Sequence, residues 1–315
     1  MIIITRAPPY LTVQDCGRKG SRAAGVPQSG AMDSFALRTA NALAGNQLDA
    51  AGLEWALGGG SIRFEDDAVF SLGGAKAHAT IAGRVATPCT TIYAKSGDEL
   101  NIEQLPSGRF LYLAIRGGVD VPRILGSRST YLPGRFGGFQ GRVLKRGDSL
   151  ALGSDSTHLP TEGCHCPADL LPRYEPGVVH VTRGTHGDLF DESAWRTLTE
   201  TQYRVLAASD RTGYKLDGPP VANPAATLPS EASCPGAIQI PGDGLPIVLM
   251  ADAPTVGGYP KIAVVAEADL PIIAQRSPGE TIRFELITIE QSQRALKRRT
   301  SDLHTINQLA LRSSR

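Results

Sequence analysis

The sequence predicts a mainly β fold with a few helices. Glycine and proline are both abundant, at 35 and 22 of 315 residues, whereas aromatic residues make up only 6%. Many tight turns between short strands produce this composition. Short apolar or alternating runs bounded by glycine recur along the chain and indicate the strands themselves. With 41% hydrophobic and 20% charged residues, the chain is globular in composition and not disordered.

The first predicted lobe covers residues 1–153 and combines several strands with one clear helix. Residues 33–44 repeat apolar positions at helical spacing, with Asp33 as the N-cap and a glycine directly after the last residue as the stop. A second short helix is expected over residues 49–57. The strands are expected over residues 68–72, 77–81, 90–93, 99–102 and 110–115.

A stretch rich in Ser, Thr, Pro and Gly, residues 154–176, is the predicted linker to a second lobe over residues 177–288. This lobe contains a predicted helix over residues 192–198 with Asp191 as its cap. Residues 289–315 are predicted to form a helical tail. The strands of the second lobe are expected over residues 178–182, 203–207, 237–240, 246–250, 262–265 and 281–286.

One turn pattern occurs three times: a glycine, an acid, any residue and an aliphatic residue. Its copies begin at Gly97, Gly147 and Gly279. The glycine supplies a positive φ, the acid accepts amides of the turn, and a strand begins directly afterwards. Two copies fall in the first lobe and one in the second. The pattern therefore favours two related β barrels, with generic turn chemistry as the alternative.

Charge and cysteine usage exclude several classes of protein. The 32 basic and 31 acidic residues nearly cancel, which gives no electrostatic case for nucleic acid or an anionic membrane as a partner. No run of about 18 apolar residues could span a membrane, and the N-terminus lacks the long apolar core of a signal peptide. Five scattered cysteines suit a reducing compartment, so a cytoplasmic protein is expected.

No metal site and no serine nucleophile are predicted. The segment Cys164-His165-Cys166, with His158 nearby, lacks a Cys-x-x-Cys pair and the second ligand pair of a structural zinc site. No Gly-x-Ser-x-Gly elbow is present around the candidate serines. Cys16 is expected to be a small buried thiol, with a reactive thiol as the alternative if an arginine lowers its pKa.

The most informative stretch covers residues 12–33, immediately before the first predicted helix. It holds four glycines and two carboxylates. Such a loop can approach a ligand closely through its backbone amides, and the helix N-terminus behind Asp33 favours an anionic group. The alternative is a glycine-rich connection whose polar groups bond to its own backbone.

This stretch resembles the N-terminal signature of the KipA-like family, whose members are also called allophanate hydrolase subunit 2 or the C subunit of 5-oxoprolinase. The sequence departs from the family pattern at Lys215 and Ala253, where arginine is commoner in relatives. The further blocks that resemble the family, in order along the chain, are residues 40–46, 53–54, 117–122, 125–130, 137–142, 209–216, 235–241 and 255–261.

The resemblance implies tandem cyclophilin-like β barrels and a subunit that works with partners. Some relatives belong to an ATP-dependent 5-oxoprolinase, which opens 5-oxoproline to glutamate together with a KipI-like subunit and a lactam-utilisation type subunit. Others are half of a biotin-dependent carboxyltransferase that moves a carboxyl group from carboxybiotin to urea, and KipA itself counteracts KipI. This sequence has no lysine flanked by methionines and no Walker-type loop, so a partner would hold biotin or ATP. The 5-oxoprolinase role is favoured.

Both reactions develop negative charge on oxygen atoms, which preorganised amides and cations stabilise. Within the family blocks, the candidate catalytic residues are Asp15, Asp33, Arg211 and Lys261, with the two carboxylates as possible general bases. For each candidate, a structural hydrogen bond is the alternative role. The candidate substrate-binding residues are Gln14, Arg18, Ser29, Arg128, Tyr214, Lys215, Gln239, Thr255, Gly257, Gly258 and Tyr259.

Overall fold

The computed structural model describes residues 1–154, 159–171, 174, 177–224 and 228–313. Its contacts divide the chain into two units. The predicted lobe boundaries stay predictions, and the observed division differs from them in grouping residues 159–171 with the first unit and residues 19–28 with the second. Unit 1 comprises Met1–Arg18, Ser29–Leu171 and Ser301–Arg315, and unit 2 comprises Lys19–Gln28 and Pro172–Thr300.

Unit 1 is a nine-stranded half-barrel organised around one long strand, β8 (Glu99–Ile115). This strand pairs antiparallel with β3 (Gly52–Ala56), β4 (Gly60–Phe64) and β5 (Ala68–Ile81). Their apolar side chains form one buried core, which accounts for the fold through the hydrophobic effect. The other strands are β1 (Ile2–Arg6), β2 (Tyr10–Gln14), β6 (Arg84–Val85), β7 (Ile92–Ala94) and β9 (Ser149–Leu150).

The predicted helix of the first lobe is confirmed as α1 (Ser34–Leu43). The Asp33 carboxylate accepts a hydrogen bond from the Ala36 amide at 2.9 Å, which is the expected N-cap. Gly45 follows the helix with a φ of 74°, the left-handed conformation that commonly ends helices. The helix packs against β5 and β8 and thereby covers one face of the sheet.

The helix expected over residues 49–57 is wrong, because most of this segment forms β3. A carboxylate within an apolar run suggests the polar face of a helix, but Glu54 is fully buried. Its Oε2 accepts hydrogen bonds from the Met32 amide and from the Tyr112 hydroxyl, both at 2.8 Å. Tertiary partners therefore satisfy a charge that the local sequence would place in water.

Unit 2 contains a closed barrel of seven strands, in the order β10-β17-β14-β15-β12-β11-β18. These strands are β10 (Val178–Arg183), β11 (Gln202–Val205), β12 (Gly213–Asp217), β14 (Ala237–Gln239), β15 (Ile247–Leu249), β17 (Lys261–Val265) and β18 (Thr281–Leu286). A parallel pairing of β10 with β18 closes the ring, and the other neighbours are antiparallel. The predicted fold class, mainly β with a few helices and barrel-like units, is confirmed.

The remaining elements of unit 2 flank the barrel. The predicted cap of α2 (Glu192–Glu200) is confirmed, because the Asp191 carboxylate accepts a hydrogen bond from the Ala194 amide at 2.8 Å. The predicted helical tail is also confirmed as α4. Among the described residues, no helix has the length and apolarity needed to cross a membrane. These elements are β13 (Glu231–Ala232) paired with β16 (Val256–Gly257), and the helices α2 (Glu192–Glu200) and α3 (Leu270–Ala274). Helix α4 (Ile289–Arg312) begins in unit 2, and its residues from Ser301 onward belong to unit 1.

The three copies of the glycine–acid turn share the same hydrogen bonds. In each copy the glycine amide donates to the carbonyl of a neighbouring strand residue, whose own amide donates back to the carbonyl of the acid. The acidic side chain accepts the amide three residues before it, at 2.9, 2.7 and 2.6 Å respectively. The glycine φ angles are 88°, 89° and 92°. The predicted turn chemistry is therefore confirmed at Gly97, Gly147 and Gly279.

Alanine at these glycines should destabilise the protein through the backbone alone. A Cβ at Gly97, Gly147 or Gly279 would meet no atom within 4 Å, so the left-handed φ is the only cost. We expect each substitution to lower the free energy of unfolding by about 1–2 kcal/mol. Urea denaturation measures this loss, with Gly242→Ala as the control, since that glycine is equally open and has no left-handed φ. If all three variants were as stable as the control, the need for glycine at these turn positions would be refuted.

Candidate functional site

Asp15, the residue directly after β2, connects two loops of unit 1. Its Oδ1 accepts hydrogen bonds from the Gly17 amide at 2.8 Å and from the hydroxyls of Ser127 and Ser129. Its Oδ2 accepts the Arg128 amide at 2.6 Å. The residue is 8% exposed. Four donors engage the lone pairs of this carboxylate, which supports the structural alternative, and the role of Asp15 as a general base stays a prediction.

The two candidate arginines of unit 1 are also engaged by protein groups. Arg128 donates from Nη2 to the Asp120 carboxylate at 2.8 Å and from Nε to a backbone carbonyl. Arg18 is fully buried, donates to the Ser129 carbonyl, and lies 4.9 Å from the centre of the Phe136 ring. Both guanidinium groups therefore hold the loops around Asp15 in place.

The other candidates of unit 1 are buried in the same region. Gln14 donates from Nε2 to the Thr130 carbonyl at 3.2 Å. Asp33 caps α1, and its own amide donates to the Tyr112 hydroxyl. Ser29 has a φ of 55° and is 5% exposed. These positions shape the glycine-rich loop from inside the unit.

A cleft of about 340 Å³ lies beside this loop and is lined in part by Asp15, Cys16, Asp49 and Arg128. Burial raises the pKa of the Cys16 thiol above 9.0, although Arg38 donates to the sulfur and lowers the pKa in part. The thiol is therefore protonated at neutral pH. Cys16 is half-buried, and the raised pKa of its thiol supports the unreactive interpretation over the reactive alternative.

In unit 2, Arg211 forms a buried ion pair with Asp252. Its Nε and Nη2 donate to the two carboxylate oxygens at 2.9 and 3.1 Å. The two side chains are 8% and 2% exposed. A bidentate ion pair of this kind fixes the orientation of both side chains. The geometry supports the structural alternative for Arg211, and its catalytic role stays a prediction.

Tyr214 and Lys215 are neighbours in β12 and point to opposite faces of the barrel wall. Tyr214 is fully buried, and its hydroxyl donates to the Ala274 carbonyl at 2.8 Å. Lys215 is exposed. Of these two predicted substrate-binding residues, only the lysine is accessible from outside the barrel.

Lys261, the first residue of β17, belongs to a cluster of polar side chains in unit 2. It is 3% exposed, and its Nζ donates to Glu231 Oε1 at 2.7 Å. The same oxygen accepts the Thr185 hydroxyl at 3.2 Å and lies 3.5 Å from Nε2 of His186. The Glu231 side chain is 39% exposed, so the cluster reaches solvent through its carboxylate.

The charges of this cluster are arranged by its hydrogen bonds. The Lys261 amide donates to His186 Nδ1 at 3.1 Å, so the proton of a neutral ring lies on Nε2 and faces Glu231. The hydrogen bond from Lys261 holds the pKa of Glu231 below its ordinary 4.5, with smaller contributions from the charges of Lys261 and His186. An ammonium, a carboxylate and an imidazole thus meet at one place, where they can move a proton or stabilise a developing oxyanion.

Strand register adds two more predicted residues to this cluster. Gln239 lies opposite Lys261 between β14 and β17, and Gly257 lies opposite Glu231 between β16 and β13. The structure therefore brings Lys261, Gln239 and Gly257 together. Tyr259 is 51% exposed. The other candidates, which flank β16, are Thr255, Gly258 and Tyr259.

Sequence reasoning missed three members of the cluster: Thr185, His186 and Glu231. Glu231 is 30 residues from Lys261 along the chain, and His186 is 75 residues away, so no local spacing relates them. His186 meets Lys261 because β10 and β17 are neighbours in the barrel, and Glu231 lies in β13, which pairs with β16, the strand before β17. The one usable signal was the place of Glu231 shortly before the family block over residues 235–241.

The cysteine-rich segment packs as part of the core of unit 1. Burial raises the pKa of Cys166 to about 12 and that of Cys89 to about 11, so both thiols are protonated. Both lie in an apolar cluster with Phe35. His158 lies outside the described residues. In the described part of the chain, no group of three or more His, Cys, Asp or Glu residues could hold a metal ion.

Comparisons with known proteins find one family and two kinds of relative. The sequence profile described as carboxyltransferase domain, subdomain A and B, matches residues 24–286. The chain is 37% identical over 314 residues to the C subunit of 5-oxoprolinase from Escherichia coli, and the match covers 99% of this chain and 98% of that one. It is 35% identical over 325 residues to urea amidolyase of Lachancea kluyveri, and this match covers 96% of this chain but 18% of that protein.

A solved structure agrees with the sequence comparison. The crystal structure of Kluyveromyces lactis urea carboxylase matches all of this chain with a TM-score of 0.90 and 32% sequence identity. This chain spans 29% of the yeast chain. The fold of both units is therefore that of a region within the yeast enzyme.

The buried ion pair makes Arg211→Ala a stability mutation. Removal of the guanidinium would leave Asp252 buried and charged, so we expect the free energy of unfolding to fall by about 3–5 kcal/mol. Arg204→Ala is the matched control, because Arg204 pairs with Asp217 on the surface, with side chains 59% and 41% exposed. The free energy of unfolding of Arg204→Ala should fall by less than about 1 kcal/mol. Chemical denaturation of both variants measures the difference, and equal losses would contradict the structural role.

Lys261→Met should raise the pKa of Glu231 toward 4.5. The native pKa lies below that value, so the pair stabilises the fold above pH 4.5, and this contribution is lost as the pH falls through the lowered pKa. Carbon-13 NMR titration of the Glu231 carboxyl group measures the shift. Lys215→Met, which removes an exposed lysine of the same barrel, should leave this pKa unchanged. A Glu231 pKa that is the same in wild type and Lys261→Met would refute the pairing.

Proposed function

This chain belongs to the family of carboxyltransferase domains, subdomain A and B, and we propose that it is a subunit of an ATP-dependent 5-oxoprolinase. The observation that carries the proposal is the 37% identity to the C subunit of a 5-oxoprolinase along nearly the whole of both chains. The proposed partners are a KipI-like subunit and a lactam-utilisation type subunit, and the proposed compartment is the cytoplasm. ATP is assigned to a partner, because this sequence lacks a Walker-type loop.

The polar cluster around Lys261 has the chemistry that opening a lactam requires. Water adds to the ring carbonyl carbon, the carbon–nitrogen bond breaks, and the nitrogen takes a proton to give glutamate. Negative charge develops on the carbonyl oxygen during this addition. The Lys261 ammonium is the proposed stabiliser of that charge, and Glu231 with His186 is the proposed route for the proton.

The second candidate function is half of a biotin-dependent carboxyltransferase that acts on a urea-type amide. The similarity to yeast urea carboxylase over the full length of this chain favours it. A partner would carry the carboxybiotin, and the same cluster would stabilise the charge on the transferred carboxyl group. A regulatory role through binding of a KipI-like protein is the third candidate.

Reconstitution with the two proposed partners tests the first candidate. The purified chain, the KipI-like subunit and the lactam-utilisation type subunit should together release glutamate from 5-oxoproline only when ATP is present. Omission of this chain should abolish glutamate release, and Lys261→Met should lower the turnover number at least about tenfold through loss of charge stabilisation. Lys297→Met, which removes an exposed lysine of α4 outside the candidate site, is the control. An unchanged rate without this chain would contradict the enzymatic role, and carboxylation of urea by a biotin-bearing partner would favour the second candidate.

A further inference from the structure

The cleft of about 340 Å³ described above has no role in the proposed reaction. Every residue that lines it belongs to unit 1, and none of them is part of the polar cluster around Lys261. Its volume lies within the range of small-molecule sites. We call it the unit 1 cleft, and the side chains that bear on its ligand are those of Asp15, Gln47, Asp49, Arg123, Arg128 and Ser154.

The turn that carries Gln47 and Asp49 is fixed from inside unit 1. The Ala50 amide donates to the Gln47 carbonyl at 3.0 Å and closes the turn. Nδ2 of the fully buried Asn41 donates to the carbonyls of Leu48 and Ala50, at 3.3 and 2.8 Å. The Asp49 side chain is exposed and has no hydrogen-bond partner in the described part of the chain. The turn therefore presents a free carboxylate from a rigid support.

Arg123 reaches the unit 1 cleft from a second anchored turn. It directly precedes a hairpin in which Ile124 and Ser127 exchange backbone hydrogen bonds of 2.8 and 3.3 Å. The Ser127 hydroxyl donates to Asp15 at 2.6 Å, so the base of the hairpin is tied to a buried carboxylate. The Arg123 side chain is exposed and pairs with no acid among the described residues. Its guanidinium is therefore available to a ligand.

The unit 1 cleft thus carries two opposite charges that do not neutralise each other. Asp49 and Arg123 both line it, but no ion pair joins them, and they belong to separately anchored turns. A guanidinium binds a carboxylate through paired hydrogen bonds, and a carboxylate binds an ammonium group. A ligand that carries both complementary groups satisfies both residues at once, whereas a simple anion or cation leaves one charge unmatched.

We propose that the unit 1 cleft binds a small α-amino acid with an uncharged polar side chain. The carboxylate of the amino acid accepts hydrogen bonds from Arg123, and its ammonium group donates to Asp49. Two carboxylates and two guanidinium groups line the cleft, so the lining favours a ligand that is neutral overall. The Gln47 amide and the Ser154 hydroxyl supply donors and acceptors for a polar side chain. This site is additional to the proposed function and does not rest on it.

Isothermal titration of the full chain with L-glutamine as the probe tests the site without any partner. Asp49→Asn and Arg123→Gln each remove one charge, so each should weaken binding at least about tenfold. Neither side chain makes a hydrogen bond within the described residues, so circular dichroism should show both variants folded. The matched controls Glu103→Gln and Arg146→Gln remove exposed charges of unit 1 that lie outside the cleft, and they should keep the wild-type affinity.

Two analogues of the probe assign each charge of the ligand to its residue. Glutaramate is glutamine without the ammonium group, and 4-aminobutanamide is glutamine without the carboxylate. Each should bind the wild-type chain at least about tenfold more weakly than L-glutamine. In Asp49→Asn, L-glutamine should lose its advantage over glutaramate, and in Arg123→Gln it should lose its advantage over 4-aminobutanamide. A merely structural effect of either substitution would weaken all three probes alike.

Three results would each overturn the proposal: no binding of L-glutamine by the wild-type chain, equal binding of the three probes, or an unchanged affinity in Asp49→Asn and Arg123→Gln. Every measurement uses this chain alone. Glutamine binding that depends on both residues would therefore stand even if the reconstituted subunits released no glutamate from 5-oxoproline. Glutamate release without any glutamine binding would refute the site and retain the proposed function.

Discussion

A charge that is removed from water must find hydrogen-bond partners within the protein, and this constraint fixes the loops of both units. In unit 1 the Asp15 carboxylate gathers four donors from two loops, while Glu54 holds the residues that lead into α1. In unit 2 the Asp252 carboxylate accepts two hydrogen bonds from the Arg211 guanidinium. These carboxylates determine where the glycine-rich loops lie, because each can be buried only with its partners in place.

The same constraint separates structural charges from charges that are available for chemistry. Asp252 is 2% exposed and is matched by one guanidinium, so it has no open side. Glu231 is held by Lys261 but remains 39% exposed, and it therefore offers a charged oxygen to a molecule arriving from solvent. A half-exposed acid paired with a buried cation is the arrangement in which binding a substrate can redistribute charge.

Local structure was predictable from the sequence wherever neighbouring residues decide it. The cap at Asp33 and the glycine–acid turns follow from hydrogen bonds within a few residues, so the sequence contains all their determinants. The error at residues 49–57 arose because the Glu54 carboxylate accepts hydrogen bonds from Met32 and Tyr112, which are tertiary contacts. The same limit applies to the candidate site, because Lys261 and Gln239 lie in recognisable sequence blocks, whereas Glu231 reaches them only through strand pairing.

The closure of the barrel by β10 and β18 has a consequence for how the protein reaches its native state. The first and last strands of the ring pair in parallel, Val178 opposite Arg283, so nearly the whole of unit 2 must be synthesised before the ring can close. Such a long-range contact has a large loop-closure entropy and slows folding. Until β18 leaves the ribosome, the edge of β10 that pairs with β18 lacks its partner, and an unpaired strand edge of this kind is a site for association with other chains.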